Sequence, residues 1–300
     1  MSAAELAIVD EAPALEAGVG RFAVLRASWR TLEGKIGLAI VTAFLIVVAI
    51  GPSIAPYAPD EIGVADPNAA PSGAHLFGAD ELGRDVLSRL LAGSRSVILI
   101  PVLATLLAFA IGGIAGMVAG YRGGRVDAVV SRVIDVLISL PYLLVVLVVV
   151  TVLRASTPVL VLAVALVFAP RIGRVMRGAT RTLAVREFVQ AAEARGESTW
   201  SIVGFELIPN VMPTMLVELA ARLTYAIIFV ATLNFLGLGL QPPSPNWAVM
   251  VAESEPTIVT RPVITLAPAL AIGVLSVGVS LIADAMTQAI GRSGGRSLLR

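Results

Sequence analysis

Six long apolar runs dominate this 300-residue sequence and constrain its fold more than any other feature. A helix needs about 20 apolar residues to cross about 30 Å of hydrocarbon. An open strand edge would leave backbone groups unpaired in lipid, so each run predicts a transmembrane helix. The predicted spans are 36–55, 97–120, 133–153, 158–173, 214–240 and 263–289. The sequence therefore predicts an all-α integral membrane protein with six transmembrane helices.

Composition and charge distribution support this prediction and orient it. Of all residues, 57% are hydrophobic and only 14% are charged, whereas soluble domains carry about 25% charged residues. Most of the 22 basic residues fall before the first predicted span or after the second, fourth and sixth. Because short cytoplasmic loops retain Lys and Arg, both termini are predicted to be cytoplasmic. We predict a tail with an interfacial helix at 1–35, a six-helix domain at 36–289 and a tail at 290–300.

Few residues are available for catalysis or metal binding. The only lysine, Lys35, is followed by Ile36, so the sequence has no Gly-x-x-x-x-Gly-Lys-Ser/Thr phosphate-binding loop. The only histidine, His75, lies in a predicted loop, and there is no cysteine. These counts exclude His-x-x-x-His and thiolate metal sites. We predict that the chain is not an enzyme, binds no cofactor or metal, and relies on another chain for any ATP hydrolysis.

The segment between the first two predicted spans ends in a motif at 77–89, which we call the outer motif. Apolar residues recur at helical spacing from Leu82 to Leu91, and Asp80 is a candidate N-cap. The pattern predicts a surface helix that either packs against the bundle or contacts a soluble partner, and the periodicity favours packing. A second outer segment, 236–247, is rich in proline and predicts a rigid turn with Trp247 at interface depth.

The most charged stretch lies between the fourth and fifth predicted spans and contains a predicted helical hairpin at 186–210. Its first helix begins near Glu187 and ends at Gly196, and Ser198 can cap a second helix that stops near Pro209. Adjacent alanines at 191 and 192 allow close approach to another surface. The hairpin is therefore suited to docking in a groove of a partner. The alternative is an ordinary amphipathic loop helix, which the residues alone do not exclude.

Polar residues inside the predicted spans are costly in lipid and are therefore functional candidates. Glu218 and Arg222 lie four residues apart in the fifth span and can pair on one helix face. A structural pair at the inner mouth is favoured there over a substrate site. Asn234 either faces the pore or bonds a neighbouring helix. These three residues are the candidate pore-lining residues.

Glycine recurs every fourth residue in the second predicted span, at Gly112, Gly116 and Gly120. Small residues at this spacing let two membrane helices approach closely. The pattern predicts a tight helix–helix contact rather than a role in conduction.

Three segments together carry a family resemblance that covers about residues 20–295. The hairpin resembles the EAA loop of ATP-binding-cassette (ABC) importer permeases. The outer motif and segment 234–247 look like the dipeptide, oligopeptide and nickel branch, in particular its C-type permease subunit. The matching hairpin positions are Gln190, Ala191, Ala192, Gly196 and Pro209. The matching outer-motif positions are Gly78, Asp80, Gly83, Arg84 and Asp85. Because glutamine replaces the family's glutamate at position 190, no carboxylate role is carried over.

The resemblance implies the fold of a type I ABC importer permease and a role as half of a translocation pore. It implies a homologous permease as partner, two ABC ATPases that hold ATP and Mg²⁺, and an extracytoplasmic substrate-binding protein. It also implies di- or oligopeptides, or related small solutes, as substrates and no nucleic-acid partner. The expected location is the inner membrane of a bacterium or archaeon.

The main alternative is a secondary transporter driven by an ion gradient. Such transporters often place substrate and ion sites near the midplane between internal repeats. This sequence has neither a mid-span acidic residue nor a convincing repeat between its halves. The residues therefore favour the ABC permease over the secondary transporter.

Overall fold

The computed structural model describes Trp29 and residues 31–297, with side chains described to residue 289. Within this range the chain is helical and contains no strand, which confirms the predicted all-α class. Most of the interfacial helix predicted within 21–35 lies outside the described residues. The helices, numbered α1 to α9, are Leu32–Ile54, Val86–Arg122, Gly124–Ser139, Tyr142–Leu153, Thr157–Ala184, Glu187–Ala194, Thr199–Phe235, Trp247–Ser254 and Pro262–Ser297.

Five of these helices, namely α1, α2, α5, α7 and α9, are long and apolar enough to cross a membrane. The third predicted span is different, because it consists of two helices, α3 and α4, bent by 88°. The break falls at Leu140, whose backbone is extended, and Pro141. Proline disfavours the helical conformation of the preceding residue and cannot donate a backbone hydrogen bond. The described chain therefore has five spans, or six when the bent pair counts as one.

Two of the long helices, α2 and α7, each combine two elements that were predicted as separate helices. Helix α2 continues without interruption from the outer motif through the second predicted span. It begins at Val86 and is capped by Asp85, whose Oδ2 accepts from the backbone N–H of Ser88 at 2.8 Å. The prediction of Asp80 as the N-cap is therefore wrong. The residues that follow the predicted hydrophobic periodicity are helical from Val86 onwards, whereas residues 82–85 form a loop.

Helix α7 runs from Thr199 to Phe235 and combines the second hairpin helix with the fifth span. The prediction that this helix stops near Pro209 is wrong. A π-helical segment at Ile202–Leu207 ends two residues before Pro209. The wider turn of a π-helix changes the hydrogen-bond register, and a proline without a donor is tolerated at the start of the next helical stretch.

Helix α5 lies at the centre of the fold and contacts α2, α3, α4, α6 and α7. Its closest contact is with α2, where Gly112 and Gly116 face the backbone of Ala169 and Gly173. A Cβ atom at either glycine would overlap the facing carbonyl oxygen. Gly120 faces Arg177 in the same way. The predicted close packing of the glycine repeat is confirmed.

Candidate functional sites

The outer motif begins with a tight turn that only glycine allows at two positions. Gly78 has a φ of 79° and Gly83 a φ of 72°, both in the left-handed region. A Cβ atom at these positions would overlap the carbonyl oxygens of Ala69 and Ala65, respectively. Asp80 holds the turn by accepting at its Oδ1 from the backbone N–H groups of residues 82 and 84, each at 3.0 Å. The glycine spacing of the motif is thus a backbone requirement.

The charged residues of the motif form a buried ionic cluster, which we define as Asp80, Arg84, Arg89 and Glu253. Asp80 Oδ2 accepts from Arg84 Nε at 2.6 Å and from Arg89 Nη1 at 2.5 Å. The two guanidinium groups also donate to Glu253, at 3.1 Å from Arg84 and 2.8 Å from Arg89. The arginine side chains are only 3% and 1% exposed. Two cations and two carboxylates therefore balance each other in the protein interior.

Within the ionic cluster, Arg84 keeps its positive charge despite burial. Burial alone would lower the pKa of the Arg84 guanidinium, but hydrogen bonds and charges from Asp80 and Glu253 raise that pKa above its ordinary value. An isolated buried charge would be costly, whereas a paired and hydrogen-bonded one is tolerated. The outer motif is thus fixed to α8, which carries Glu253. This confirms that the motif packs against the bundle.

Asp85 anchors the other side of the motif. Besides capping α2, its carboxylate accepts from the Ser88 hydroxyl at 2.7 Å and pairs with His75 Nδ1 at 2.9 Å. The His75 ring stacks on Tyr57 with 5.0 Å between ring centres. His75 lies in a loop, as predicted, but it is only 9% exposed. Neither contact of His75 was predicted from the sequence.

Helix α8, which follows the predicted turn at 236–247, was not predicted from the sequence. Asn246 caps this helix by accepting from the Ala248 N–H at 3.0 Å. Trp247 packs inside the protein, because it is only 1% exposed and donates its indole N–H to the Leu90 carbonyl at 2.7 Å. An Asn residue before an apolar run was the signal that could have revealed the helix.

The hairpin forms as predicted at its first helix and at its turn. Helix α6 covers Glu187–Ala194, and Gly196 follows in the left-handed region with a φ of 77°. Ser198 then caps α7 by accepting from the backbone N–H of Ser201 at 3.2 Å. Pro209 lies half-buried within α7 and is therefore part of a helix rather than its end.

The surface of the hairpin differs from what the alanine motif suggests. Ala191 and Gln190 are exposed, but Ala192 is completely buried against the bundle. Two large apolar residues that the sequence analysis did not select are exposed instead: Trp200 by 67% and Phe205 by 79%. Aromatic side chains are enriched in protein–protein interfaces relative to the rest of the surface. Their helical position next to Gly196 was the signal that could have identified them.

Two polar contacts attach the hairpin to the end of α2. The Tyr121 hydroxyl donates to Glu193 at 2.9 Å, and Arg122 donates to the Thr199 hydroxyl at 3.3 Å. Within the turn, Glu197 accepts from Arg195 at 2.6 Å. The hydrogen bond from Arg195 is the largest cause that lowers the pKa of the Glu197 carboxyl below its ordinary value.

The candidate pore-lining residues fall into two separate groups. Glu218 and Arg222 form the predicted pair on α7, with 2.5 Å between Arg222 Nε and the carboxylate. Asn234 lies elsewhere, is 3% exposed and accepts from the Leu240 N–H at 2.7 Å. This bond is made to the loop after its own helix and not to a neighbouring helix. Asn234 thus closes the turn that leads towards α8.

The long apolar helices, the buried ionic cluster and the exposed apolar hairpin define a multi-pass membrane protein with a structured loop outside its spans. Residues 112–293 match the family described as "Binding-protein-dependent transport system inner membrane component". Because the match covers more than half of the sequence, the chain belongs to this family.

Similar proteins include three permeases with long matches to this chain. Dipeptide transport system permease protein DppC of Bacillus subtilis (strain 168) is 35% identical over 237 residues, which are 78% of this chain and 74% of the relative. Probable D,D-dipeptide transport system permease protein DdpC of Escherichia coli (strain K12) is 33% identical over 258 residues, 86% and 87% of the two chains. Glutathione transport system permease protein GsiD of Escherichia coli O6:K15:H31 (strain 536 / UPEC) is 36% identical over 254 residues, 84% of each.

The family and the relatives identify the chain as a transmembrane permease subunit of an ABC importer. They also confirm the resemblance to the C-type permeases of the dipeptide branch. Nothing in these matches supports a secondary transporter.

Proposed function

We propose that this permease imports small peptides across the cytoplasmic membrane of a bacterium or archaeon, with both of its termini in the cytoplasm. The names of its relatives describe transport of dipeptides, D,D-dipeptides and glutathione, all of which are small peptides. The basic residues concentrated in alternate loops support the orientation. The importer is completed by a homologous permease, two ATPases that bind and hydrolyse ATP with Mg²⁺, and a substrate-binding protein on the opposite side.

The hairpin is the surface on which the ATPase docks, and the observation that carries this proposal is its exposed apolar face. Trp200 and Phe205 project from the first turns of α7, and Ala191 is exposed on α6. Aromatic residues dominate the binding energy of protein interfaces when they enter a partner's pocket. Ala192 and Val189 are buried and hold α6 on the bundle, so movement of the docked face is transmitted to the spans.

Coupling requires that the ATPase contact the permease differently in its ATP-bound and ATP-free states. The second hairpin helix is continuous with the fifth span, because both belong to α7. A displacement of Trp200 and Phe205 by the ATPase therefore acts directly on a helix that crosses the membrane. The hairpin residues transmit force and do no chemistry.

The docking proposal can be tested by co-purification of the ATPase with the permease pair. Replacing Trp200 and Phe205 with aspartate removes both aromatic contacts and introduces charge. Loss of a single interface anchor costs about 2 kcal/mol or more, which corresponds to about 30-fold in affinity. We therefore expect the double variant to lose the ATPase while it remains inserted in the membrane.

Val259→Asp is the matched control. Val259 is 89% exposed and lies two residues before Arg261, whose guanidinium donates to the Asn68 carbonyl in the segment preceding the outer motif and not to the hairpin. This control should retain the ATPase. Equal recovery of the ATPase with the Trp200 and Phe205 double variant and with the control would show that the hairpin is not the docking surface.

A further inference from the structure

A cavity of about 380 Å³ opens between α4, α5 and α7. Small-molecule sites commonly have volumes of about 300–1,000 Å³, so its size is sufficient for a small solute. Its wall combines four aromatic rings with two arginines from different helices. The lining residues that matter here are Tyr142, Phe168, Arg171, Arg222, Tyr225 and Phe229.

Three arginines lie three residues apart on α5, and only one of them faces this cavity. Arg174 pairs with Asp135 at 2.8 Å, and Arg177 pairs with Asp127 at 2.8 Å, both acids belonging to α3. Arg171 has no carboxylate oxygen within 4.0 Å among the described residues. Within the part of the chain that the structure describes, its one hydrogen bond is a long contact of 3.5 Å with a backbone carbonyl of its own helix.

The second arginine adds no net charge to the cavity. Arg222 is neutralised by Glu218 at 2.5 Å and lies 6.0 Å from the ring centre of Tyr225. The cavity therefore holds one uncompensated positive charge, that of half-buried Arg171. Arg171 lies near the end of the fourth predicted span, 158–173, and an arginine there that faces a cavity without an internal partner is a candidate for binding a substrate or ion.

We propose that this cavity is a peptide-binding site on the translocation path, in which Arg171 binds the C-terminal carboxylate of the peptide. A guanidinium group presents a fork of N–H donors that matches a carboxylate with two parallel hydrogen bonds. The rings of Tyr142, Phe168 and Phe229 supply apolar contact area for the remainder of the peptide. The assignment rests on the proposed function, because it takes the substrate class from there.

The test uses the assembled complex of both permeases and both ATPases in nanodiscs, without the binding protein. Binding of dialanine and of its C-terminal amide is measured by equilibrium titration at millimolar concentrations. Charged hydrogen bonds contribute about 1.5–3 kcal/mol, so Arg171→Gln should weaken dialanine binding by about 10- to 100-fold. The amide should bind weakly to the unchanged complex and be unaffected by the substitution.

Two further variants make the result specific. Arg174→Gln removes an equal charge one turn along the same helix, outside the cavity, and should leave dialanine binding unchanged. Arg171→Lys keeps the charge but loses the fork of donors, and it should bind dialanine with intermediate affinity. Recovery by lysine would distinguish recognition of the carboxylate from a merely structural role.

Three results would overturn the assignment. The first is equal binding of dialanine and its amide, or no binding of either, by the unchanged complex. The second is an equal loss of both probes in Arg171→Gln. The third is dissociation of the partner permease in that variant, which would show that Arg171 pairs across the subunit interface. Peptide transport by the unchanged complex with its binding protein is measured in parallel, and only its absence would contradict the proposed function.

Discussion

Replacing Asp80 with asparagine tests the ionic cluster, because the substitution keeps the shape of the side chain and removes its charge. Asp80 Oδ2 accepts hydrogen bonds from both buried arginines, at 2.6 Å from Arg84 and 2.5 Å from Arg89. In the variant, two cations that are 3% and 1% exposed would share the single carboxylate of Glu253. The protein interior would then hold one uncompensated positive charge.

The magnitude follows from burial. Breaking a buried ion pair by removing one partner costs about 3–5 kcal/mol, because the remaining charge stays desolvated. The side chain of Glu253 is 23% exposed, so solvent screens part of the imbalance. We therefore expect a loss near the lower limit, about 3 kcal/mol. For a chain of 300 residues, whose unfolding entropy is about 2.1 cal/mol/K per residue, such a loss corresponds to a melting temperature lower by about 5 °C.

The assay is thermal denaturation of the purified complex, followed by gel filtration with fluorescence detection. Glu81→Gln is the control, since Glu81 is an exposed neighbour and its neutralisation should change stability by less than about 0.5 kcal/mol. Combining Asp80→Asn with Arg84→Gln leaves Arg89 balanced by Glu253, so the double variant should recover part of the loss. If the Asp80→Asn and Glu81→Gln variants have the same melting temperature, the ionic cluster contributes no more to stability than a surface ion pair does.

The remaining predictions concern helix packing and the hairpin turn. Gly116→Val should cost at least about 1–3 kcal/mol and reduce the yield of folded protein, because a Cβ there overlaps the Gly173 carbonyl, whereas Gly178→Val meets open space and should be tolerated. Equal yields would contradict this. The lowered pKa of Glu197 means that its bond with Arg195 stabilises the turn above the ordinary pKa of 4.5 and is lost as the pH falls through the lowered value. Hydrogen exchange should thus be faster in Glu197→Gln at neutral pH, and this difference should disappear in acid; a difference that persists there would refute the link.

Features with local causes could be predicted from the sequence. Helix α6 and its end at Gly196 follow from a run of helix formers and a glycine in the left-handed region. The contact between α2 and α5 follows from glycine at every fourth residue of α2. This spacing predicts a close helix–helix contact without identifying the partner helix. Asp80 and Arg84 were predicted through the family resemblance, but Glu253, the second carboxylate bound by Arg84, lies 169 residues after it. No local spacing indicates such a pair.

Helix boundaries were the weakest part of the sequence analysis, and each error has a physical cause. Proline at 141 breaks the third span, whereas proline at 209 does not break α7. The difference lies in the preceding residues: Leu140 is extended, while a π-helical turn leads into Pro209. Proline alone therefore predicts only that the hydrogen-bond pattern must change. Whether the chain bends at a proline or only changes its helical register depends on tertiary contacts, and these cannot be predicted from hydropathy.

The same reasoning applies to charge in the membrane. Arg171, Arg174 and Arg177 lie on one helix at a regular spacing of three residues, and that spacing does not distinguish them. They differ only because α3 places Asp135 and Asp127 beside the second and third of them. Whether a charge is paired therefore depends on packing and not on composition. For this reason Arg222, which is neutralised by Glu218, was predicted as a candidate pore-lining residue, whereas Arg171 was not. In a permease, the arginine without an internal partner is the one free to bind an anion that passes through.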